Sequence, residues 1–181
     1  MRFAEMLGTD GMVYTANLRT ARATADYVAA GRGVETWEPQ FTYFGFRYVE
    51  LSGIAAPADD AITGVVVHTD LPRIGFFECS NPLLNKLYAN TLWSQKGNFL
   101  EVPTDCPQRD ERLGWTGDAQ VFSPTANYNF ASGAFYRQWL AALRDGYRDE
   151  PGGVSGFADV APDLGLRYGS AGWGGAAAII P

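Results

Sequence analysis

The hydrophobic pattern of the 181-residue chain changes near residue 75, and this change restricts the possible folds more than any other feature. Residues 1–74 contain short runs rich in aromatic and β-branched side chains, separated by turn-forming stretches, which is typical of strands. Residues 75–181 instead carry apolar side chains at helical spacing. The sequence therefore predicts an α+β chain, with a β domain over 1–74 and a helical domain over 75–181.

Within the first part, residues 34–51 give the clearest strand pattern. Residues 41–51 are aromatic or β-branched at both odd and even positions, as in a strand covered on both faces. Gly45 interrupts this run and indicates either a bulge or a close approach of another backbone. Further strands are predicted at residues 11–15, 20–28 and 64–69, although 20–28 is also compatible with a helix.

The first predicted helix begins with Asn81 as its N-cap and Pro82 at its first position, where a missing N–H costs little. Gly97 is the expected C-terminal stop. Between them, five apolar side chains share one stripe of the helix: Leu83, Leu84, Leu87, Tyr88 and Leu92.

Two more helices are predicted, over residues 116–128 with a bend at Pro124, and over residues 132–148. The inward side chains of the latter are expected to be Phe135, Trp139, Leu140 and Leu143. Residues 173–181 look like the opening of a fourth helix. Three helices and part of a fourth do not close around a core, so we expect a part of a longer polypeptide. The alternative is a self-contained three-helix domain with a β extension.

Composition excludes several classes of function. The net charge of -6 argues against a nucleic-acid partner, which requires a basic face. No apolar run approaches the roughly 18 residues of a membrane span, and none marks a signal peptide, which favours a cytoplasmic location. Cys79 and Cys106 fit no zinc spacing and are expected to be reduced thiols. Neither a metal nor a cofactor is predicted, and His68, the single histidine, is expected to be structural.

The richest chemistry lies in the segment 105–118, between the first two helices. It holds four carboxylates, two arginines and a tryptophan within fourteen residues. Glycoside hydrolysis requires one carboxylic acid and one carboxylate, and neighbouring carboxylates can keep one of their number protonated. An arginine can bind sugar hydroxyls and a tryptophan can stack on the ring. The alternative is a solvated loop of salt bridges, and the residues alone leave both interpretations open.

The same segment resembles the signature loop of the bacterial α-L-rhamnosidases of glycoside hydrolase family 78. Residues 35–50 are similar to the end of that family's large β domain, and residues 79–85 to the entry of its (α/α)6 barrel. Gly172-Trp173-Gly174 is similar to a further barrel motif. The resemblance implies a fragment that contains the C-terminal part of a β-sandwich domain and the first helices of an incomplete (α/α)6 barrel.

The resemblance also implies residue roles. Glu111 falls on the family's general acid in an inverting hydrolase that releases terminal L-rhamnose. Four residues of the loop and one later aromatic fall on rhamnose-binding positions: Asp105, Arg109, Trp115, Asp118 and Trp173. Asp110 and Arg112 belong to the motif and are expected to form structural salt bridges. The expected partners are a rhamnose-containing glycoside and the rest of the parent polypeptide.

The sequence departs from the family pattern in two ways. Gly175 stands where members usually have an aspartate after Gly-Trp-Gly, which removes a hydrogen bond or a helix cap. No segment resembles the region that supplies the family's general base, so we expect the isolated chain to be inactive. Two other functions stay open: a non-catalytic carbohydrate-binding module, and an (α/α)6 glycosidase that acts on another sugar.

Overall fold

The computed structural model describes residues 1–151, 153, 155–166 and 168–180. The chain folds as two compact units. The first contains Met1–Val66 together with Pro107–Glu111, and the second contains Val67–Cys106 together with Arg112–Pro181. The first unit is built from short strands and loops and the second mainly from helices, so the chain mixes α and β structure as predicted.

The first unit contains four short strands. These are β1 (Arg2–Ala4), β2 (Met6–Leu7), β3 (Val13–Tyr14) and β4 (Tyr48–Glu50). β1 pairs antiparallel with β4, and β2 pairs antiparallel with β3. A single turn of 3₁₀ helix, Ala16–Leu18, follows β3.

The core of the first unit forms around the ring of Phe3 on β1. This ring stacks on Phe44 with a centroid distance of 4.2 Å and meets Phe46 at 5.1 Å. Ala4, Leu18 and Ala25 are buried. Aromatic rings bury a large area for few ordered residues, which suits a unit with little regular structure.

The strand predictions were only partly right. The predicted strand at 11–15 contains β3, but the one at 34–51 contracts to β4. Residues 20–28 contribute one bridge, from Thr24 to Arg2, and residues 64–69 form no strand within the described part of the chain.

Gly45 explains why the aromatic run does not continue as a strand. Its N–H donates to the carbonyl of Pro107 at 3.1 Å, so it is not available to a neighbouring strand. A Cβ at this position would lie 2.7 Å from the Pro107 ring, which leaves room only for glycine. The close backbone approach predicted at Gly45 is therefore confirmed.

Helix α1 (Pro82–Asn98) opens the helical part of the second unit. Its predicted N-cap is confirmed, because the Asn81 side chain accepts a hydrogen bond from the Leu83 N–H at 2.9 Å. The amide of Asn85 binds both the N–H and the carbonyl of Cys79, at 2.9 and 2.7 Å. Asn81 and Asn85 thus both fix the start of α1 through hydrogen bonds to the backbone. Of the predicted stripe, Tyr88 and Leu92 are half-buried, whereas Leu83, Leu84 and Leu87 are exposed.

A tight hairpin follows, in which β5 (Phe99–Leu100) pairs with β6 (Val102–Pro103). The next helices are α2 (Thr116–Asn129) and α3 (Gly133–Asp145), both close to the predicted ranges. Two short helices occupy the region of the predicted fourth helix, namely α4 (Ala171–Gly174) and α5 (Ala176–Ile179).

Pro124 lies inside α2, where it cannot donate the hydrogen bond that the Gln120 carbonyl would otherwise accept. The hydroxyl of Ser123 donates to this carbonyl at 3.0 Å. Ser123 is itself buried, so water does not offer an easy alternative partner. The serine before the proline thus supplies the missing donor and lets the helix continue.

Aromatic side chains of α3 form the core of the second unit. Phe135, Trp139 and Leu143 are buried and Leu140 packs against them, so the predicted inward face is confirmed. The Trp139 indole N–H donates to the Ala161 carbonyl at 2.9 Å. Burial raises the pKa of the Tyr136 hydroxyl well above its usual value.

A buried amide pair links α1 to α2. Asn129 donates to the side-chain oxygen of Gln95 at 3.0 Å, and Gln95 donates to the Ala126 carbonyl at 3.3 Å.

Within the described residues, no helix combines the length and apolar character needed to cross a bilayer.

Candidate functional site

The loop that carries the predicted chemistry is closed at its base by two hydrogen bonds. The Asp105 N–H donates to the Leu113 carbonyl at 3.2 Å, and the Leu113 N–H donates to Asp105 Oδ1 at 3.0 Å. One side-chain oxygen of Asp105, Oδ1, therefore already serves the loop itself.

The boundary between the two units crosses this loop twice, after Cys106 and after Glu111. Glu111 and Arg109 consequently belong to the first unit. The other four predicted sugar-binding residues belong to the second: Asp105, Trp115, Asp118 and Trp173.

Two arginines converge on one oxygen of Glu111. Arg109 Nη2 lies 2.7 Å from Glu111 Oε2, and Arg19 Nη1 lies 3.0 Å from the same atom. The Glu111 side chain is 30% exposed, so it is accessible to a ligand while being held by these contacts. Arg109 had been expected to contact sugar, and in the structure it holds Glu111.

The neighbouring carboxylate, Asp110, is bound by Thr20. Both the N–H of Thr20, at 3.2 Å, and its hydroxyl donate to Asp110 Oδ2. These bonds, the hydroxyl first, lower the pKa of Asp110, and the charge of Arg19 adds a smaller effect in the same direction. Asp110 had been expected to form a salt bridge, and in the structure it instead accepts hydrogen bonds from Thr20.

A cleft of about 560 Å³ lies in the second unit and contains three of the predicted sugar-binding residues, Asp105, Asp118 and Trp173. Its wall also includes the apolar rings of Phe99 and Phe122 and the amide of Asn98. Such a mixture of flat apolar surface and a few polar groups is typical of small-ligand pockets. The structure thus brings these three residues together in one cavity.

Trp173 owes its position in the cleft to Gly117. A Cβ on Gly117 would lie 2.9 Å from the Trp173 indole nitrogen and 3.0 Å from two ring carbons. The indole therefore packs directly on the backbone at the start of α2. Because it is 40% exposed, part of its ring stays available for stacking.

Trp115 does not line this cleft. It is the N-cap residue of α2 and is half-buried, with its backbone N–H bound to the Leu113 carbonyl at 2.9 Å. Its indole N–H is buried and has no hydrogen-bond partner among the described residues.

Gly175, which replaces the usual aspartate, is the N-cap residue of α5 and offers no side-chain cap. A Cβ at this position would lie 3.0 Å from Gln120 Oε1, a buried oxygen without a partner among the described residues. The glycine thus removes a side chain that would have faced the Gln120 amide.

Arg19 and Thr20 are two residues of the site that no sequence pattern indicated. Neither belongs to a motif: Arg19 precedes, and Thr20 begins, the predicted strand at 20–28, which is also compatible with a helix. Their partners are distant in sequence, at Asp110 and Glu111. Only the fold brings these residues together.

Comparison with known proteins identifies the family. Residues 72–181 match the family described as bacterial alpha-L-rhamnosidase 6 hairpin glycosidase domain, and residues 1–68 match the bacterial alpha-L-rhamnosidase concanavalin-like domain. The chain belongs to the bacterial α-L-rhamnosidases.

Its relatives include α-L-rhamnosidases from Streptomyces avermitilis, 51% identical over 183 residues, and from Formosa agariphila, 46% identical over 186 residues. Both alignments include the whole chain, which spans 17% and 20% of the length of these two relatives. The chain therefore corresponds to one segment of each of these two relatives.

Solved structures agree with this assignment. The structure of the Streptomyces avermitilis α-L-rhamnosidase complexed with L-rhamnose superimposes with a TM-score of 0.92, at 51% identity, over 99% of this chain and 17% of that one. The α-L-rhamnosidase from Dictyoglumus thermophilum gives a TM-score of 0.91 at 44% identity, over 99% of this chain and 20% of that one. At this identity, the likeness extends to the sequence as well as to the fold.

Proposed function

We propose that the full-length protein containing this chain is an inverting glycoside hydrolase that releases terminal α-L-rhamnose, with Glu111 as the general acid. The main support for this proposal is the environment of the Glu111 carboxyl group. This group is partly exposed, and two guanidinium groups hold it through one oxygen. Membership of the α-L-rhamnosidase family supports the choice of sugar.

In the proposed reaction, Glu111 gives its proton to the glycosidic oxygen. The bond between this oxygen and the anomeric carbon breaks, and its electron pair stays on the oxygen of the departing alcohol. A water molecule adds to the anomeric carbon from the opposite face and gives its proton to a second carboxylate. In inverting enzymes the two carboxyl groups stand about 6.5–9.5 Å apart to admit that water. The family resemblance assigns this second carboxylate to a segment outside residues 1–181.

The five other matched residues are proposed to hold the sugar. The cleft in the second unit supports this role for Asp105, Asp118 and Trp173. Its volume of about 560 Å³ lies within the roughly 300–1,000 Å³ common for small-ligand pockets. For Arg109 and Trp115 the support is the family motif alone.

We also propose that residues 1–74 are the end of a β-sandwich domain and that residues 75–181 begin an (α/α)6 barrel. The concanavalin-like match over 1–68 and the six-hairpin match over 72–181 support this division. The alternatives of a binding module or a different sugar have less support, because the relatives described above are all α-L-rhamnosidases.

Replacement of the proposed acid tests the function. In the full-length protein, Glu111→Gln should abolish turnover of alkyl rhamnosides, because a glutamine cannot protonate the leaving oxygen. The loss should be about 100-fold or more, the range of general acid catalysis. Turnover is measured by rhamnose release, and rhamnose binding is measured by calorimetry.

Glu101→Gln is the matched control, since Glu101 is an exposed glutamate at the turn of the β5–β6 hairpin. This variant should keep normal turnover. Near-normal hydrolysis of alkyl rhamnosides by Glu111→Gln would refute the assignment of the general acid.

A further inference from the structure

Arg19 contacts the proposed acid from a distant part of the chain. Its Nη1 atom lies 3.0 Å from Glu111 Oε2, the atom that also receives Arg109 Nη2 at 2.7 Å. Arg109 is two residues from Glu111 on the same loop and moves with it. Arg19 comes from the segment after β3, so it fixes the loop to the rest of the first unit.

The segment that carries Arg19 is itself well anchored. Leu18, immediately before it, is 1% exposed and ends the 3₁₀ turn. Arg19 adopts φ 58°, a left-handed conformation that non-glycine residues rarely accept. Such a conformation persists only when the surroundings enforce it, and it is frequent at functional positions.

Thr20, immediately after Arg19, binds the residue immediately before Glu111. Its N–H and its hydroxyl both donate to Asp110 Oδ2. Two adjacent residues therefore contact two adjacent residues of the loop: Arg19 contacts Glu111, and Thr20 contacts Asp110. Two adjacent contacts restrict the rotation of the loop as well as its distance from the segment.

The geometry constrains where the proton of Glu111 can reside. Arg109 Nη2 donates a hydrogen bond to Oε2, and Arg19 Nη1 forms an ion pair with the same atom. A guanidinium group can only donate hydrogen bonds, so neither arginine can accept a proton from Oε2. The two positive charges beside Oε2 disfavour a proton on that atom, so the acid form carries its proton on Oε1. General acid catalysis requires the proton within hydrogen-bond distance of the leaving oxygen, so the choice between the two oxygens matters.

We propose that Arg19 is a positioning residue for the general acid: it fixes the Glu111 side chain and reserves Oε1 for the proton that is transferred. The inference rests on the proposed role of Glu111. Arg19 touches neither sugar nor water in this role and acts only through the carboxyl group that it holds.

Leaving-group dependence provides the test in the full-length protein. The leaving group of a 2,4-dinitrophenyl rhamnoside departs without much protonation. Cleavage of a methyl rhamnoside, in contrast, depends on a proton from the acid. Arg19→Gln should lower kcat on the methyl rhamnoside about 10- to 100-fold, the cost of a displaced catalytic group. On the dinitrophenyl substrate kcat should change much less, and KM should be unchanged on both. Equal losses on the two substrates, or no loss, would overturn the proposal.

Arg22→Gln is the matched control. Arg22 lies three residues away, carries the same charge and makes an exposed ion pair with Asp26 rather than a contact with Glu111. It should retain normal kcat on both substrates. Arg19→Lys keeps the charge but not the planar fork, so it should show a smaller loss with the same substrate dependence. If Arg19→Gln does not fold, Arg19→Lys decides, and a substrate-independent result for it also overturns the proposal.

Glu111→Gln, assayed with the same two substrates, separates the two proposals. If it shows no substrate-dependent loss, the role of Glu111 as the acid is wrong and the inference about Arg19 is wrong with it. If Glu111→Gln shows the loss and Arg19→Gln behaves like Arg22→Gln, only the inference about Arg19 is wrong.

Discussion

A glutamate becomes useful as an acid only when its surroundings fix its orientation, and at the scale of single residues several carboxylates of this chain are fixed in this way. Glu111 is held by two arginines and Asp110 by Thr20. Glu35 is held by a third arrangement, in which it accepts from the Tyr27 hydroxyl and from the N–H groups of Ala30 and Arg32. Each carboxylate closes a loop that has little regular secondary structure.

Glu35 gives a prediction about acid stability. The Tyr27 hydrogen bond, followed by the backbone bonds, lowers the pKa of Glu35 from 4.5 to about 2. Because the folded state favours the charged form, this stabilisation is present above pH 4.5 and is lost as the pH falls through about 2. Glu35→Gln should therefore lower the free energy of unfolding at pH 6 and flatten its decline between pH 4.5 and 2.

Urea denaturation of the protein across this pH range measures the effect. Glu38→Gln is the control, since Glu38 is an exposed neighbour with no hydrogen bond or ion pair among the described residues. An unchanged pH dependence in Glu35→Gln would contradict the role assigned to this carboxylate.

At the scale of elements, α2 shows how a helix tolerates a proline. Ser123 donates to the Gln120 carbonyl that Pro124 leaves without a partner. Ser123→Ala should cost about 1–2 kcal/mol, because the part-buried Gln120 carbonyl loses its hydrogen bond. Chemical denaturation of the variant gives this value directly.

A double-mutant cycle isolates the contact. In a Pro124→Ala background the N–H of residue 124 can serve the Gln120 carbonyl, so Ser123→Ala should then cost much less. Equal costs in the two backgrounds would show that the serine acts through packing alone.

The helices could be predicted from sequence because their signals are local. Asn81 and Pro82 mark the start of α1, and the apolar spacing of α3 identifies its buried face. Strands need partners that sequence spacing does not reveal. The aromatic run around Gly45 looked like a strand, yet the Gly45 N–H binds Pro107, which lies far along the chain.

In the candidate site, too, residues with a local sequence signal could be predicted and residues that depend on long-range contacts could not. Asp105, Asp118 and Trp173 could be selected through the family resemblance, from the loop motif and a much later motif, and they do share a cleft. Arg19 and Thr20 could not be selected, because their contacts depend on a long-range approach of two loops. Their own neighbours in sequence contain no signal for it.

At the scale of the whole molecule, residues 105–118 are divided between the two units. The proposed acid belongs to the first unit and the cleft to the second. The second carboxylate of an inverting mechanism is expected in neither. The chain alone therefore contains only part of the proposed machinery.

The purified 181-residue chain should accordingly fail to hydrolyse a chromogenic rhamnoside, whereas the full-length protein should hydrolyse it. Product release is followed by absorbance at equal molar concentrations. Hydrolysis by the isolated chain that disappears in its Glu111→Gln variant would contradict this expectation, because it would place a complete acid–base pair within residues 1–181.

The first unit is discontinuous, since residues 107–111 complete it from within the sequence of the second. Gene recombination exchanges contiguous stretches of sequence, so a crossover between the two units would separate Glu111 from Arg19. A second unit acquired from a diverged relative would bring its own residues 107–111. These would then have to contact residues 19–20 of a different sequence. Lineages are therefore expected to inherit both units together, and engineers who exchange one between homologues should transfer residues 19–20 with the loop.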